Sequence, residues 1–145
     1  MAAAVDYLAQ VGRNFGSRLS SDLSIYKGRR KDLKQAMGII TAYERPLLSY
    51  MLTELNKIPG IKIYGILNED DFDERCPTIA FTREGYSPKG IASKLGEKGI
   101  FVWHGNYYAL AVTEKLGVED SGGMVRVGLA HYNTKEEVDR FLSAL

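Results

Sequence analysis

At 145 residues, with 45% hydrophobic and 26% charged side chains, the chain is long enough to bury a core and has the composition of folded rather than disordered protein. Lys and Arg number 19 against 18 Asp and Glu, and a formal charge of +1 removes bulk attraction to nucleic acid or anionic lipid as an account of what it does. One cysteine excludes an intrachain disulfide framework, no run approaches the ~20 apolar residues of a membrane span, and no signal peptide is recognisable, so a reducing, cytoplasmic setting is expected.

In chain order, Ala3 to Val11 reads as a short helix stopped at Gly12. Residues 12–28 mix Gly, Ser, Asn and Asp with scattered apolar positions and read as a loop or truncated connection, so 1–28 is expected to be an N-terminal helix and connection left from a preceding region. From Arg29 the apolar residues Leu33, Ala36, Met37, Ile40, Tyr43, Leu47, Leu48, Met51, Leu52 and Leu55 recur at three- and four-residue steps, which predicts a long amphipathic helix ending at Ile58-Pro59-Gly60. Pro46 should kink or split it, because proline removes a backbone hydrogen bond and clashes with the preceding turn.

Four strands are predicted next, at Ile61–Ile66, Thr78–Arg83, Ile100–His104 and Met124–Tyr132, each rich in β-branched or aromatic residues. Ser87-Pro88 supplies an N-cap and a first-turn proline for a helix carrying Ile91, Ala92 and Leu95 that finishes by Gly99. A short helix precedes the last strand. Thr134 and Glu137 stand at capping-box spacing ahead of a stripe of Val138, Phe141, Leu142 and Leu145. The expected fold is a two-layer α+β domain over 29–145: a small, mostly antiparallel sheet of about four strands with helices packed on one face.

The last strand carries the chemistry. Val125, Val127, Leu129 and His131 alternate to one side, Met124, Arg126, Gly128, Ala130 and Tyr132 to the other. Gly128 and Ala130 leave room against the Arg126 guanidinium, whose planar fork suits a carboxylate or phosphate held by paired hydrogen bonds. The bland alternative is an arginine on a solvated sheet face paired with some Asp or Glu.

Several segments together resemble the C-terminal third of class V aminotransferases, in their cysteine desulfurase-like branch. They are Ile58-Pro59-Gly60 before a strand, Arg75-Cys76-Pro77-Thr78-Ile79-Ala80-Phe81, the run from Gly99 to Ala109, and Val125-Arg126-Val127-Gly128-Leu129-Ala130-His131-Tyr132-Asn133-Thr134 with Glu136-Glu137-Val138-Asp139. The likeness runs in order over residues 30 to 145. It implies the small C-terminal domain of a pyridoxal-phosphate enzyme of fold type I, closing over an amino-acid substrate, with a larger cofactor-binding domain and a homodimer as partners and no nucleic acid or membrane. In that family a lysine following a histidine carries the cofactor. Here no lysine follows a histidine and there is no Ser- or Gly-rich phosphate cup, so neither catalytic nor cofactor-binding residues are expected in this chain, which alone should be inactive.

By the same resemblance, Arg126 stands where the family grips the substrate α-carboxylate, and His104, Asn106, Tyr107 and Tyr108 form a candidate active-site loop. One group of desulfurases carries Gly-His-His-Cys-Ala where this chain has Gly105-Asn106-Tyr107-Tyr108-Ala109, and the cysteine that takes sulfur there is Tyr108 here. A phenol is no sulfur acceptor, which weighs against a desulfurase in the strict form; a desulfurase or lyase relative, an aminotransferase or epimerase relative on the same scaffold, and a non-catalytic interaction module stay open. The loop aromatics could equally pack the loop against the sheet.

Cys76 follows Glu69, Asp70, Asp71, Asp73 and Glu74, an acidic setting that makes it a structural thiol at a strand start rather than a nucleophile. His104 and His131 lack Asp, Glu or Cys at ligand spacing, so no metal site is expected. The run Lys27-Gly28-Arg29-Arg30-Lys31-Asp32-Leu33-Lys34 could touch nucleic acid, but without interleaved aromatics it reads as a solvated helix start.

Overall fold

The computed structural model describes residues 2–18 and 23–145, and the chain divides into two compact units, Met1–Pro46 and Leu47–Leu145. Within the first, helix α1 spans Ala2–Phe15, a 3-10 turn follows at Gly16–Arg18, and helix α2, Gly28–Leu55, begins. Gly12 does not stop α1, because its missing side chain serves another purpose: a Cβ there would lie 1.8 Å from the Asp32 carbonyl oxygen. Glycine at this position lets two backbones meet. Arg13 pairs with Asp32 at 3.0 Å and Arg29 with Asp6 at 2.6 Å, while Arg30 and Lys34 sit 5.2 and 5.6 Å from the Tyr26 ring centroid. Part of the basic run is therefore engaged locally. The part of the expected loop at 19–22 lies outside the described residues.

Helix α2 runs through Pro46 without being split, contrary to one of the two expectations for it, and the boundary between the units falls at that proline. Beyond it, Leu48, Met51, Leu52 and Leu55 are buried. Strands β1 (Ile61–Tyr64), β2 (Thr78–Arg83), β3 (Trp103–Gly105) and β4 (Met124–Gly128) form one sheet in the order β1-β2-β4-β3, with every pair antiparallel. Helices α3 (Pro88–Glu97), α4 (Leu110–Lys115) and α5 (Lys135–Ala144) complete the unit, with a 3-10 segment at Glu69–Glu74.

The core lies on one side of the sheet. Ile79, Phe81 and Val125 point to it from β2 and β4 and meet Leu48, Met51, Leu52 and Leu55 of α2, Ile91 and Leu95 of α3, and Val138 and Phe141 of α5. Phe81 and Phe141 pack edge to face with centroids 6.4 Å apart. Ser87 accepts the Gly90 N–H at 3.1 Å to start α3, and Thr134 and Glu137 form the reciprocal capping box expected for α5. The Tyr50 hydroxyl donates to Asp139 at 2.5 Å, tying the end of α2 to α5. The architecture is thus the expected α+β one, helices on one face of a small antiparallel sheet.

Three strands differ from expectation at their ends. β1 stops at Tyr64 rather than Ile66, where Gly65 takes φ 108°. β3 starts at Trp103 rather than Ile100, because the Ile100 N–H is already spent on the Leu95 carbonyl as the chain leaves α3 through Gly99, φ 69°. β4 stops at Gly128 rather than Tyr132. There the Leu129 N–H turns to Pro77 O, and the Ala130 N–H is taken by the Asn133 side chain at 2.7 Å, which bends the chain into the α5 cap. Ala130 and Tyr132 consequently lie beyond the strand face assigned to them.

Candidate functional site

The sheet face away from the helices holds Arg126. Because directly paired residues of antiparallel strands project to the same side, the registers Tyr64↔Ala80, Ala80↔Arg126 and Trp103↔Arg126 place Tyr64, Ala80, Arg126 and Trp103 in one row across the four strands. Arg126 and Trp103 are exposed, and Ala80 beside Arg126 offers almost no side chain. Gly128 follows two residues on with the same orientation. Trp103, Ala80 and Tyr64 were not among the sequence-predicted site residues. Only the pairing register brings them to Arg126, although a lone tryptophan in an otherwise ordinary strand was a usable signal.

The unit Leu47–Leu145 has four arginines, and how each is held separates them. Arg75 donates to the Ile66 and Thr78 carbonyls, Arg83 to Leu145 O and Arg140 to Lys98 O. Arg126 makes no hydrogen bond or ion pair among the described residues; its guanidinium carbon sits 4.8 Å from the centroid of the Tyr107 ring. A ring attracts the cation without taking a conventional hydrogen bond from it, so the guanidinium N–H groups stay available.

Tyr107 belongs to a tight turn. The Ala109 N–H closes it onto Asn106 O at 2.8 Å, and both central residues, Tyr107 and Tyr108, have positive φ, 54° and 63°. Asn, Asp and Gly dominate turns of that kind, and a pair of tyrosines there stores backbone strain. Asn106 secures the entry: its Oδ1 accepts the Tyr108 N–H at 3.1 Å and its amide donates to Glu119 at 3.1 Å. Glu119 in turn accepts the hydroxyl of buried Thr113. The Tyr107 hydroxyl donates to Met124 O on β4, and burial pushes its phenol up to about 12, with Arg126 opposing that rise. Gly123 and Gly105 press the turn against β4; a Cβ on Gly123 would lie 2.2 Å from Gly105 O.

The candidate residues therefore separate. Tyr107 meets Arg126, whereas Asn106 is consumed in building the turn and Tyr108 is 99% exposed. His104 pairs with Val125 and so shares the opposite face, at the exposed sheet edge. Cys76 is exposed two residues before β2. A cavity of about 190 Å³ lined by Met51, Ile100, Val127 and Phe141 lies on the helix side, away from Arg126. Among the described residues no helix is long and apolar enough to cross a membrane, and no group of three or more His, Cys, Asp or Glu could hold a metal ion.

A pyridoxal-phosphate site needs a lysine to carry the cofactor and a cradle for its phosphate. The row around Arg126 offers Tyr64, Ala80 and Trp103 and no lysine, so among the described residues that row does not itself make such a site.

Residues 32–141 match the family model described as aminotransferase class-V. A cysteine desulfurase of Cronobacter sakazakii is 37% identical over 120 residues, covering 81% of this chain and 27% of its own length. An aminotransferase-like protein, FGM3, of Gibberella zeae is 36% identical over 115 residues, covering 77% and 28%. The apo cysteine desulfurase of Thermococcus onnurineus NA1 superposes with a TM-score of 0.68 at 29% identity, over 79% of this chain and 27% of that one. The chain spans about a quarter of the length of these relatives, and with its family match over residues 32–141 and its helix-backed antiparallel sheet it belongs to the class-V aminotransferase family, in its cysteine desulfurase-like range.

Proposed function

We propose that residues 29–145 act as the small, substrate-closing domain of a pyridoxal-phosphate enzyme and that Arg126 grips the α-carboxylate of an amino-acid substrate. The observation that carries this reading is the one arginine of its unit whose donors are unspent among the described residues, exposed on the sheet face opposite the core. Every other arginine there is committed to a backbone carbonyl. An open face cannot exclude water, so the opposing wall, the cofactor and its lysine would come from the larger domain. When bound, that cofactor supplies the electron sink for chemistry at the α-carbon. Arg126 contributes position: fixing the carboxylate by two parallel hydrogen bonds sets which α-carbon bond is held for reaction. The cytoplasm and a homodimer are the proposed setting.

Tyr108 favours a second reading of the reaction. Its phenol, fully exposed at the tip of the strained turn, stands where a sulfur-accepting cysteine would be in one desulfurase group, and this supports transamination or epimerisation over persulfide transfer. The test is Arg126→Lys in the enzyme carrying this domain. A point ammonium cannot replace the fork, and the substrate KM should rise at least about tenfold with a smaller change in kcat. An unchanged KM removes Arg126 from the site.

A further inference from the structure

Resting on the reading of Arg126 as a carboxylate grip, we propose that Tyr107 is a positioning residue, whose ring holds the guanidinium by its face and leaves its edge donors free for substrate.

An arginine on a strand carries much rotamer freedom that must be given up before two parallel hydrogen bonds can form. A protein can restrain it with a carboxylate, but a bidentate acid takes the very N–H groups the substrate needs. An aromatic ring restrains it without taking any. Tyr107 is the ring that does so, at 4.8 Å.

The ring is itself fixed from both ends. Its hydroxyl donates to the carbonyl of Met124, two residues before Arg126 on the same strand, so ring and guanidinium share one reference frame. Its backbone is locked in the Asn106–Ala109 turn, which is anchored through Asn106 to Glu119 and from there to Thr113. The strained φ of 54° at Tyr107 is held by these contacts and would relax in their absence. Burial keeps the phenol protonated well above neutral pH, so it neither becomes an anion beside Arg126 nor competes for its donors. Tyr107 touches no substrate in this scheme; it acts through Arg126.

The experiment compares Tyr107→Leu, Tyr107→Phe and Arg126→Lys. On the 145-residue chain, the Arg126 Nε–H signal, identified by its loss in Arg126→Lys, is followed by 15N NMR. Tyr107→Leu should shift it as the ring current disappears and speed its exchange with water, whereas Tyr107→Phe, which keeps the ring, should preserve most of both. In the enzyme carrying the larger domain, Tyr107→Leu should raise the substrate KM about 3- to 30-fold with kcat much less affected, and Tyr107→Phe should restore it to within about 3-fold. If Arg126→Lys raises KM while Tyr107→Leu, folded by circular dichroism, changes neither KM nor the Arg126 signal, the role of Tyr107 is overturned and the carboxylate grip stands. If Arg126→Lys leaves KM unchanged, the grip falls first, and the role of Tyr107 falls with it whatever the NMR signal does. A Tyr107→Phe variant as impaired as Tyr107→Leu would assign the effect to the hydroxyl and overturn the ring-based scheme.

Discussion

Replacing Tyr108 by glycine should stabilise the protein, against the usual direction for an aromatic-to-glycine change. The ring is 99% exposed, so truncation loses almost no burial, and the hydrogen bond into Asn106 comes from the Tyr108 backbone, which glycine retains. A left-handed conformation, here φ 63°, costs a non-glycine residue about 1–2 kcal/mol, and glycine removes that strain. Against this, glycine gains freedom in the unfolded chain, which costs about 0.5–1 kcal/mol. The balance is a stabilisation of about 0.5–1 kcal/mol, or an upward shift in Tm of roughly 2–6 °C for a unit of about 100 residues. Tyr107→Gly supplies the control. It relieves a similar φ, but it forfeits the ring on Arg126, the bond to Met124 O and half-buried area, and should be net destabilising by about 1 kcal/mol or more. Thermal unfolding by calorimetry reads both. If the two variants shift Tm in the same direction, the backbone strain or the exposure assigned to Tyr108 is wrong. A confirmed gain would mean that the protein keeps an exposed, strained tyrosine at a cost in stability, as expected where the side chain meets a ligand.

Phe81→Ala removes a fully buried ring that packs edge to face on Phe141, and a loss of about 3–5 kcal/mol should appear as a lower urea midpoint; a loss under about 1 kcal/mol would place the core elsewhere. Thr134→Ala deletes the side-chain half of the α5 capping box and should cost about 1 kcal/mol, with Thr134→Ser restoring most of it in the same denaturation assay. Tyr107 titrates near 12 in the folded chain and near 10 when unfolded, so the folded state holds its proton more tightly: the stability it contributes is complete below about pH 10 and is lost as pH rises from there toward 12. The difference in 295 nm absorbance titration between the native chain and Tyr107→Phe should therefore show one phenol ionising near pH 12, and a midpoint near 10 would contradict the burial assigned to it.

How much of this was legible in the sequence depends on the range over which each feature is decided. The α5 cap is fixed by Thr134 and Glu137, three residues apart, and was readable in full; so was the Ser87-Pro88 start of α3. The limits of β3 and β4 were not, because they are set by where single N–H groups go, Ile100 to Leu95 O and Ala130 to the Asn133 side chain, and strand propensity carries no information about that competition. Gly12 could as well have ended α1 as allowed Asp32 to approach, and only the partner backbone decides. At the site, Arg126 stood out as a charge in an apolar strand, but its row with Trp103 and Ala80 required a cross-strand register that alternation along β4 alone cannot supply.

The way Arg126 is held bears on function more than on stability. An exposed ion pair contributes about 0–1 kcal/mol and an exposed cation–π contact about 0.5–1 kcal/mol, so the fold has little to gain by choosing one over the other. What differs is the state in which the guanidinium is left. Paired with an acid, as a solvated sheet arginine commonly is, it would present a neutralised group with part of its fork taken; set on Tyr107, it keeps a full charge and hydrogen-bond donors unspent among the described residues. Its neighbours leave it so: Ala80, paired with it on β2, and Gly128 two residues on supply no side chain able to reach those donors, and Glu119, the acid that anchors the turn, is occupied by Asn106 and Thr113. A surface arginine serving only solubility requires none of this, whereas the proposed carboxylate grip would draw on unspent donors and small neighbours alike.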